Sequence, residues 1–239
     1  MKIADLKIKG ITCNSKAVKK NFIFVAIKGN RQDGRCFIKE AIANGASYVV
    51  VQGNPPAIKI PAGVNLISVK HARKFLAEAC AEFYHHPSQN LKVIGITGTN
   101  GKTTVAYLIE AIAKEAKYGC GVIGTISHRF KNKVILAKNT TPGAQENQEY
   151  LSKMHGQGIK YCAMEVSSHA LDQDRVAGIN FAHAIFTNLT QDHLDYHKNL
   201  ENYFQAKAKL FRGLSKSGVG IINQDDPNCR RIRKLTAAK

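Results

Sequence analysis

The chain has 239 residues, 44% of them hydrophobic, which is enough for one large or two modest domains with real cores. Lys and Arg number 35 against 17 Asp and Glu, a formal charge of +18, which reads either as a solvated basic surface or as a match to a partner carrying phosphates or carboxylates. No segment reaches the ~18 apolar residues of a membrane span, the start MKIADLKIKG has no apolar signal core, and the six cysteines form no C-x-x-C pair, so a cytoplasmic protein with reduced thiols is expected.

In chain order, FIFVAI (22–27) reads as a strand, KGNRQDG as a loop and 35–44 as a helix, followed by strands SYVVVQ (47–52) and VNLISV (64–69). A helix over 71–84 carries Phe75, Leu76, Ala79, Cys80 and Phe83 on one stripe. Pro87 in HHPSQN (85–90) stops it, and the boundary there predicts domains 1–88 and 89–239. Beyond it, LKVIGIT (91–97), GCGVIGT (119–125), KYCAMEV (160–166), FAHAIFT (181–187) and GVGIIN (218–223) are apolar runs that read as buried parallel strands. Helices fit near 102–116, 144–157 and 199–212, the first with Val105, Leu108, Ile109, Ile112 and Ala116 on one face. The fold class is α/β: a small amino-terminal α/β domain, then a doubly wound parallel sheet. Such sheets bind ligands at the carboxyl ends of their strands.

Between the strand 91–97 and the helix 102–116 lies GTNGKTT (98–104). Glycines let backbone N–H groups converge on anionic oxygens, and a helix N-terminus adds its dipole. Gly98, Thr99, Asn100, Gly101, Lys102, Thr103 and Thr104 thus read as a phosphate-binding loop, with Lys102 on the β/γ-phosphates and the Thr103 hydroxyl on Mg²⁺. The general pattern G-x-x-x-x-G-K-[ST] is not fully met, since Ile96 stands at its first position. A nucleoside triphosphate site also needs a carboxylate for its metal. Glu165 ends the apolar run YCAM, where a carboxylate is costly unless it finds a cation or hydrogen bonds. In TNLTQDHLDYH (187–197), His193 and His197 are four apart, but Leu194 replaces the Glu of H-E-x-x-H, so a place beside the phosphates is preferred to a zinc helix.

GTNGKTT, NTTP (139–142), AMEVSSHALDQDRV (163–176), FTNLTQDHLDYH (186–197) and YFQAKAKLF (203–211) occur in the order found in the Mur ligases, and the sequence resembles that family. The narrower motifs resemble its tripeptide-synthetase (MurE-type) branch, which adds a diamino acid, meso-diaminopimelate or L-lysine, to UDP-MurNAc-L-Ala-D-Glu. The resemblance implies a UDP-binding first domain and a P-loop-type ATP-binding second domain. It also implies ATP and Mg²⁺ as cofactors, with an acyl phosphate as intermediate. It assigns Thr103, Glu165, His193 and Lys207, the last as a carbamate, to metal, and Lys102, Glu165, His193 and Lys207 to catalysis. Ser15, Thr140, Thr141, Ser167, Gln173 and Arg175 match residues that contact the UDP-MurNAc-peptide. At Asn14-Ser15-Lys16 the family commonly has Asp-Ser-Arg.

The family's third, carboxyl-terminal domain has no counterpart in the sequence, so a truncated central domain and a chain inactive on its own are expected. The alternatives are a nucleotide-binding remnant without catalysis and a folylpolyglutamate-type ligase, against which AMEVSSHALDQDR argues. The scattered lysines lack aromatic interleaving, so no nucleic-acid partner is expected, and no membrane.

Overall fold

The computed structural model describes residues 3–29, 32–55 and 57–239. The chain divides into two compact units, Met1–His85 and His86–Lys239, the division falling inside HHPSQN. Among the described residues no helix is long and apolar enough to cross a membrane.

The first unit is a four-stranded parallel sheet of β1 (Gly10–Thr12), β2 (Phe22–Ala26), β3 (Ala46–Gln52) and β4 (Asn65–Val69), in that spatial order. Helix α1 (Ile38–Ala43) follows a 3₁₀ turn, Gly34–Phe37, whose Arg35 N–H is capped by Asp33. Ile38 and Ala41 of α1 pack with Phe24, Ala26, Val49 and Val51. The alternate residues Ile23, Val25 and Val50 are buried too, and α2 (Ala72–Phe83) packs against β1, β2 and β3. Both faces of the inner strands are covered, which is why they read as continuous apolar runs. Strand β1 was not expected, because three residues carry no periodicity.

The second unit runs β5 (Lys92–Thr97), α3 (Lys102–Glu115), β6 (Cys120–Ile123), β7 (Ser127–Phe130), β8 (Lys133–Leu136), α4 (Ala144–Gly156), β9 (Tyr161–Glu165), α5 (Ser168–Asp172), β10 (Phe181–Phe186), α6 (Leu194–His197), α7 (Leu200–Arg212), β11 (Val219–Ile222) and α8 (Cys229–Leu235). The sheet order is β11-β10-β5-β9-β6-β7-β8. The first five strands are parallel, and β7 and β8 form an antiparallel hairpin on the edge. One face carries the larger core, built by Leu151 and Met154 of α4, Leu171 of α5, Phe204 and Phe211 of α7, and Ile232 of α8. The other face carries α3 over Ile96, Val122 and Ala163.

Three expectations change. The hairpin β7–β8 escaped notice because its two-residue loop, Lys131-Asn132, lacks the glycine that marks such turns, although Lys131 takes φ 49°. Strand β11 is parallel as expected but only half-buried, with Ile221 51% exposed, since it pairs with β10 alone among the named strands. The apolar face of α3 is also displaced. Ala106 and Ala113 are buried and Val105 and Ile109 pack on the core, whereas Leu108 and Ile112 are 56% and 67% exposed. The apolar arc of this helix is wider than the strip that meets the sheet, and periodicity cannot say which part of an arc is covered.

Ile112→Lys is therefore expected to shift urea-unfolding stability by no more than about 0.5 kcal/mol. Ile96→Ala, at a fully buried position beneath the same helix, should cost about 2–5 kcal/mol. Equal losses in the two variants would contradict the packing described for α3.

Candidate functional site

Parallel strands end on the same side of a sheet, so the segments after β5, β6, β9 and β10 converge. After β5 the chain turns through Gly98–Gly101 into α3. Gly98 has φ 149° and Gly101 has φ 85°, and a Cβ on Gly98 would lie 1.9 Å from Thr187 Oγ1. Glycine is required there because the loop is pressed onto the segment after β10. The Thr99 N–H donates to the Asn188 carbonyl (2.9 Å) and the Asn100 N–H to Asn188 Oδ1 (3.0 Å). The Thr187 hydroxyl donates to the Asn100 carbonyl (2.6 Å). Gly101 caps α3 without a side chain, so no cap side chain occupies the first-turn N–H groups of this 14-residue helix. Thr104, one position after Thr103, is exposed.

Two lysines meet on this loop. Lys102 Nζ donates to the carbonyls of Gly98 (2.9 Å) and Thr99 (2.7 Å), and Lys207 Nζ donates to the same Gly98 carbonyl (2.7 Å). Lys207 is 1% exposed, held on the inner face of α7 with its ammonium 4.3 Å from the centre of the Tyr203 ring. A lysine on an amphipathic helix is ordinarily solvated, and Lys207 is buried instead. Burial, then the nearby charge of Lys102, pushes the Lys207 amine well below the ordinary lysine range. Burial lowers Lys102 too, against opposing pulls from Glu165 and Asp192.

Glu165 ends β9 and is 1% exposed. Its Oε2 accepts from the hydroxyls of Thr103 and Thr125 (2.9 Å each), and its Oε1 from the Thr125 N–H (3.0 Å). Among the described residues no Lys, Arg or His pairs with it within 4.0 Å. A buried carboxylate ringed by hydroxyls is a hard-oxygen donor set of the kind Mg²⁺ takes together with phosphate oxygens. No group of three or more His, Cys, Asp or Glu among the described residues is placed to hold a metal, so a cation at Glu165 would draw its other ligands from hydroxyls and from its own substrate. His193 precedes α6, half-exposed. Its ring lies edge-on to His169 (4.9 Å between centres) and to Tyr203 (6.1 Å), and its backbone N–H donates to Asp192 Oδ1 (2.8 Å). His197 is turned away into the core, with Nε2 2.9 Å from Ser168 Oγ.

Five of the six residues matched to the UDP-MurNAc-peptide, Thr140, Thr141, Ser167, Gln173 and Arg175, form a second network joined to the first. Thr140 Oγ1 lies 3.1 Å from Thr125 Oγ1. The buried Thr141 hydroxyl donates to the Glu165 carbonyl (2.9 Å) and accepts from the Ser167 N–H (3.0 Å). Ser167 caps α5. Arg175 donates to Gln173 Oε1 (2.7 and 3.1 Å) and to the Thr141 carbonyl (3.2 Å), and Gln173 donates to Tyr196 Oη (3.2 Å). Ser15 lies in the first unit, buried, its hydroxyl donating to Glu40 Oε2 (2.5 Å). Sequence reasoning missed Thr125, Asn188 and Tyr203. For Thr125 and Asn188 a signal was available: each is a polar residue just past the carboxyl end of an apolar run, as Glu165 is at the end of its own.

Residues 96–239 match the family model described as the Mur ligase middle domain, and residues 7–84 that described as the Mur ligase family, catalytic domain. The chain is 49% identical over 230 residues to the UDP-N-acetylmuramoyl-L-alanyl-D-glutamate--2,6-diaminopimelate ligase of Aquifex aeolicus (strain VF5), covering 96% of this chain and 46% of that protein. A solved structure of a UDP-N-acetylmuramoyl-L-alanyl-D-glutamate--2,6-diaminopimelate ligase matches with a TM-score of 0.81 at 30% identity, over 95% of this chain and 45% of that one. A Mycobacterium tuberculosis folylpolyglutamate synthase, complexed with ADP and AMPPCP, shares the fold at 17% identity with a TM-score of 0.53, over 68% of this chain and 46% of that one. The chain spans about half the length of the curated relatives it matches.

The burial of Lys207 has a measurable consequence. Its folded-state pKa is depressed, so below that value both states hold the proton and the desolvation penalty is fully present. As pH rises through the depressed value toward the ordinary 10.5, the folded state releases its proton first and stability increases. In CO₂-free buffer, the stability difference between wild type and Lys207→Met should shift in favour of wild type across that window, read by urea unfolding at each pH. Parallel pH profiles would contradict the burial.

Proposed function

From membership of the Mur ligase family, to which this chain belongs, we propose that it binds ATP and a UDP-linked muramoyl dipeptide as part of a cytoplasmic ligase of peptidoglycan synthesis. The reaction joins a diamino acid to UDP-MurNAc-L-Ala-D-Glu, and the names of the relatives favour 2,6-diaminopimelate. The convergence of the Lys102 and Lys207 amines on the Gly98 carbonyl carries the reading. The Lys102 ammonium beside a helix N-terminus offers positive charge that a triphosphate balances, and the shared carbonyl holds the buried Lys207 amine at the edge of the same site.

In the proposed reaction the γ-phosphoryl group passes to the γ-carboxylate of D-Glu. The amine of the diamino acid attacks the resulting acyl phosphate, and phosphate leaves as the tetrahedral intermediate collapses. The N–H groups at the start of α3, from Gly101 to Thr104, and the Lys102 ammonium hold the phosphates in line and offset charge on the transferring group. Thr103 and Glu165 would hold Mg²⁺, with His193 serving a second ion, and the metal supplies Lewis-acid neutralisation of phosphate oxygens. Burial favours a neutral Lys207 amine, the form that adds to CO₂ and releases a proton, converting a base into an anion on the cation side of the site. Thr140, Thr141, Ser167, Gln173 and Arg175 would contact the acceptor near its carboxylates and phosphates, and Ser15 its uridine end. No side chain has to act as a covalent nucleophile.

The test uses ATP, Mg²⁺, UDP-MurNAc-L-Ala-D-Glu and hydroxylamine, a small nucleophile that replaces the amino acid and traps the acyl phosphate as a hydroxamate. In a full-length ligase carrying these residues, wild type should form the hydroxamate, detected by mass spectrometry, and Lys102→Ala should lower the rate roughly 10²–10³-fold. Unchanged turnover in that variant would remove Lys102 from the phosphates. Lys207→Ala should lose the same activity and regain part of it with added formate or acetate, which restores an anion. Full activity without the added acid would take Lys207 out of the site.

A further inference from the structure

We propose that Thr125, which follows β6 directly after Gly124, is the positioning residue that sets the affinity of Glu165 for a divalent cation; the proposal rests on the nucleotide-binding reading above. Thr125 holds both oxygens of the Glu165 carboxylate, its N–H on Oε1 at 3.0 Å and its hydroxyl on Oε2 at 2.9 Å. Thr103 supplies the third donor, to Oε2. A carboxylate has about four lone-pair sites, so three donors fix its rotamer and leave capacity for one further partner. The backbone also presses on the carboxylate: a Cβ on Gly124 would collide with Oε1. Glu165 is thus seated against one threonine and one glycine contributed by the same turn.

Thr125 is itself fixed. Its single hydroxyl proton has two acceptors in reach, Glu165 Oε2 and Thr140 Oγ1 at 3.1 Å. The charged carboxylate is the stronger acceptor of that proton, and Thr140 Oγ1 is its alternative acceptor. Thr140, Thr125 and Glu165 are thus linked through one hydroxyl, between the segment matched to the UDP-MurNAc-peptide and the carboxylate matched to the metal. A group that orients a metal-binding carboxylate in this way controls cation affinity without touching the cation, and loss of such a partner typically costs 10–100-fold.

The experiment is titration of ATP into the whole chain over a series of Mg²⁺ concentrations, for wild type, Thr125→Ser, Thr125→Val and Gly124→Ala. Thermal unfolding of each chain without ligand is measured alongside. Thr125→Val keeps the shape and the N–H and removes only the hydroxyl. Gly124→Ala keeps the hydroxyl and displaces the carboxylate by direct collision with Oε1. Both should require about tenfold more Mg²⁺ for half-maximal ATP binding, with ATP affinity in the absence of Mg²⁺ unchanged, while Thr125→Ser follows wild type. A purely structural role for Thr125 would lower the unfolding temperature and leave the Mg²⁺ dependence in place, and that result overturns the proposal. If one variant does not fold, the other decides. A wild-type chain that binds ATP equally well with and without Mg²⁺ would instead overturn the cation role of Glu165 itself, and the proposal with it.

Discussion

The carbonyl oxygen of Gly98 receives two lysine amines from opposite ends of the second unit, one four residues away and one 109 residues away. That single acceptor ties the start of α3 to the inner face of α7, and it can do so only because the loop between β5 and α3 lies flat on the segment after β10. A side chain at Gly98 would collide with Thr187, and the loop would lift from both lysines. The consequence is electrostatic. Two basic groups are held within reach of one oxygen in a partly dehydrated place, where charge interactions are stronger than in water and where an anionic ligand gains most.

Sheet topology explains why these groups meet. Strand β5 lies between β9 and β10, and β6 lies beyond β9. All four run in the same direction, so the segments after them open at one edge. The segment after β5 carries the glycines and Lys102; β9 ends on Glu165; β6 is followed by Thr125; β10 is followed by Thr187, Asn188 and, further on, His193. Helices α5 and α7 cover the larger core and bring Ser167 and Lys207 to the same edge. The antiparallel hairpin beyond β6 extends the sheet, and the segment after β8 returns Thr140 and Thr141 to this edge.

The charge balance of the chain sharpens the meaning of Glu165. Basic residues outnumber acidic ones 35 to 17, and exposed acids such as Glu201 and Asp172 have found basic partners. Glu165, the most deeply buried acid described, is held by hydroxyls and an amide. A base close enough to neutralise it would compete with a cation for the same oxygens. Neutral donors fix the carboxylate in place and leave its charge available.

The longer strands and helices, the glycine-rich loop after β5 and the position of Glu165 at a strand end were legible in the sequence. Strands covered on both faces are written as unbroken apolar runs, and a glycine-rich interruption or a carboxylate at the end of such a run stands out against them. The candidate residues of the acceptor network were legible only through motif resemblance, since threonines and serines after strands look like any loop. Other features belonged to the tertiary structure alone. Period 3.6 puts Lys207 on a helix but not on its buried side, and it gives α3 an apolar arc without saying that Leu108 and Ile112 lie outside the covered part. The grip of Thr125 on Glu165 spans 40 residues, and that of Lys207 on Gly98 spans 109. Local patterns encode which way a residue faces on its own strand or helix. They do not encode which distant backbone atom it will meet, because that is fixed by strand order and by the packing of helices across the finished sheet.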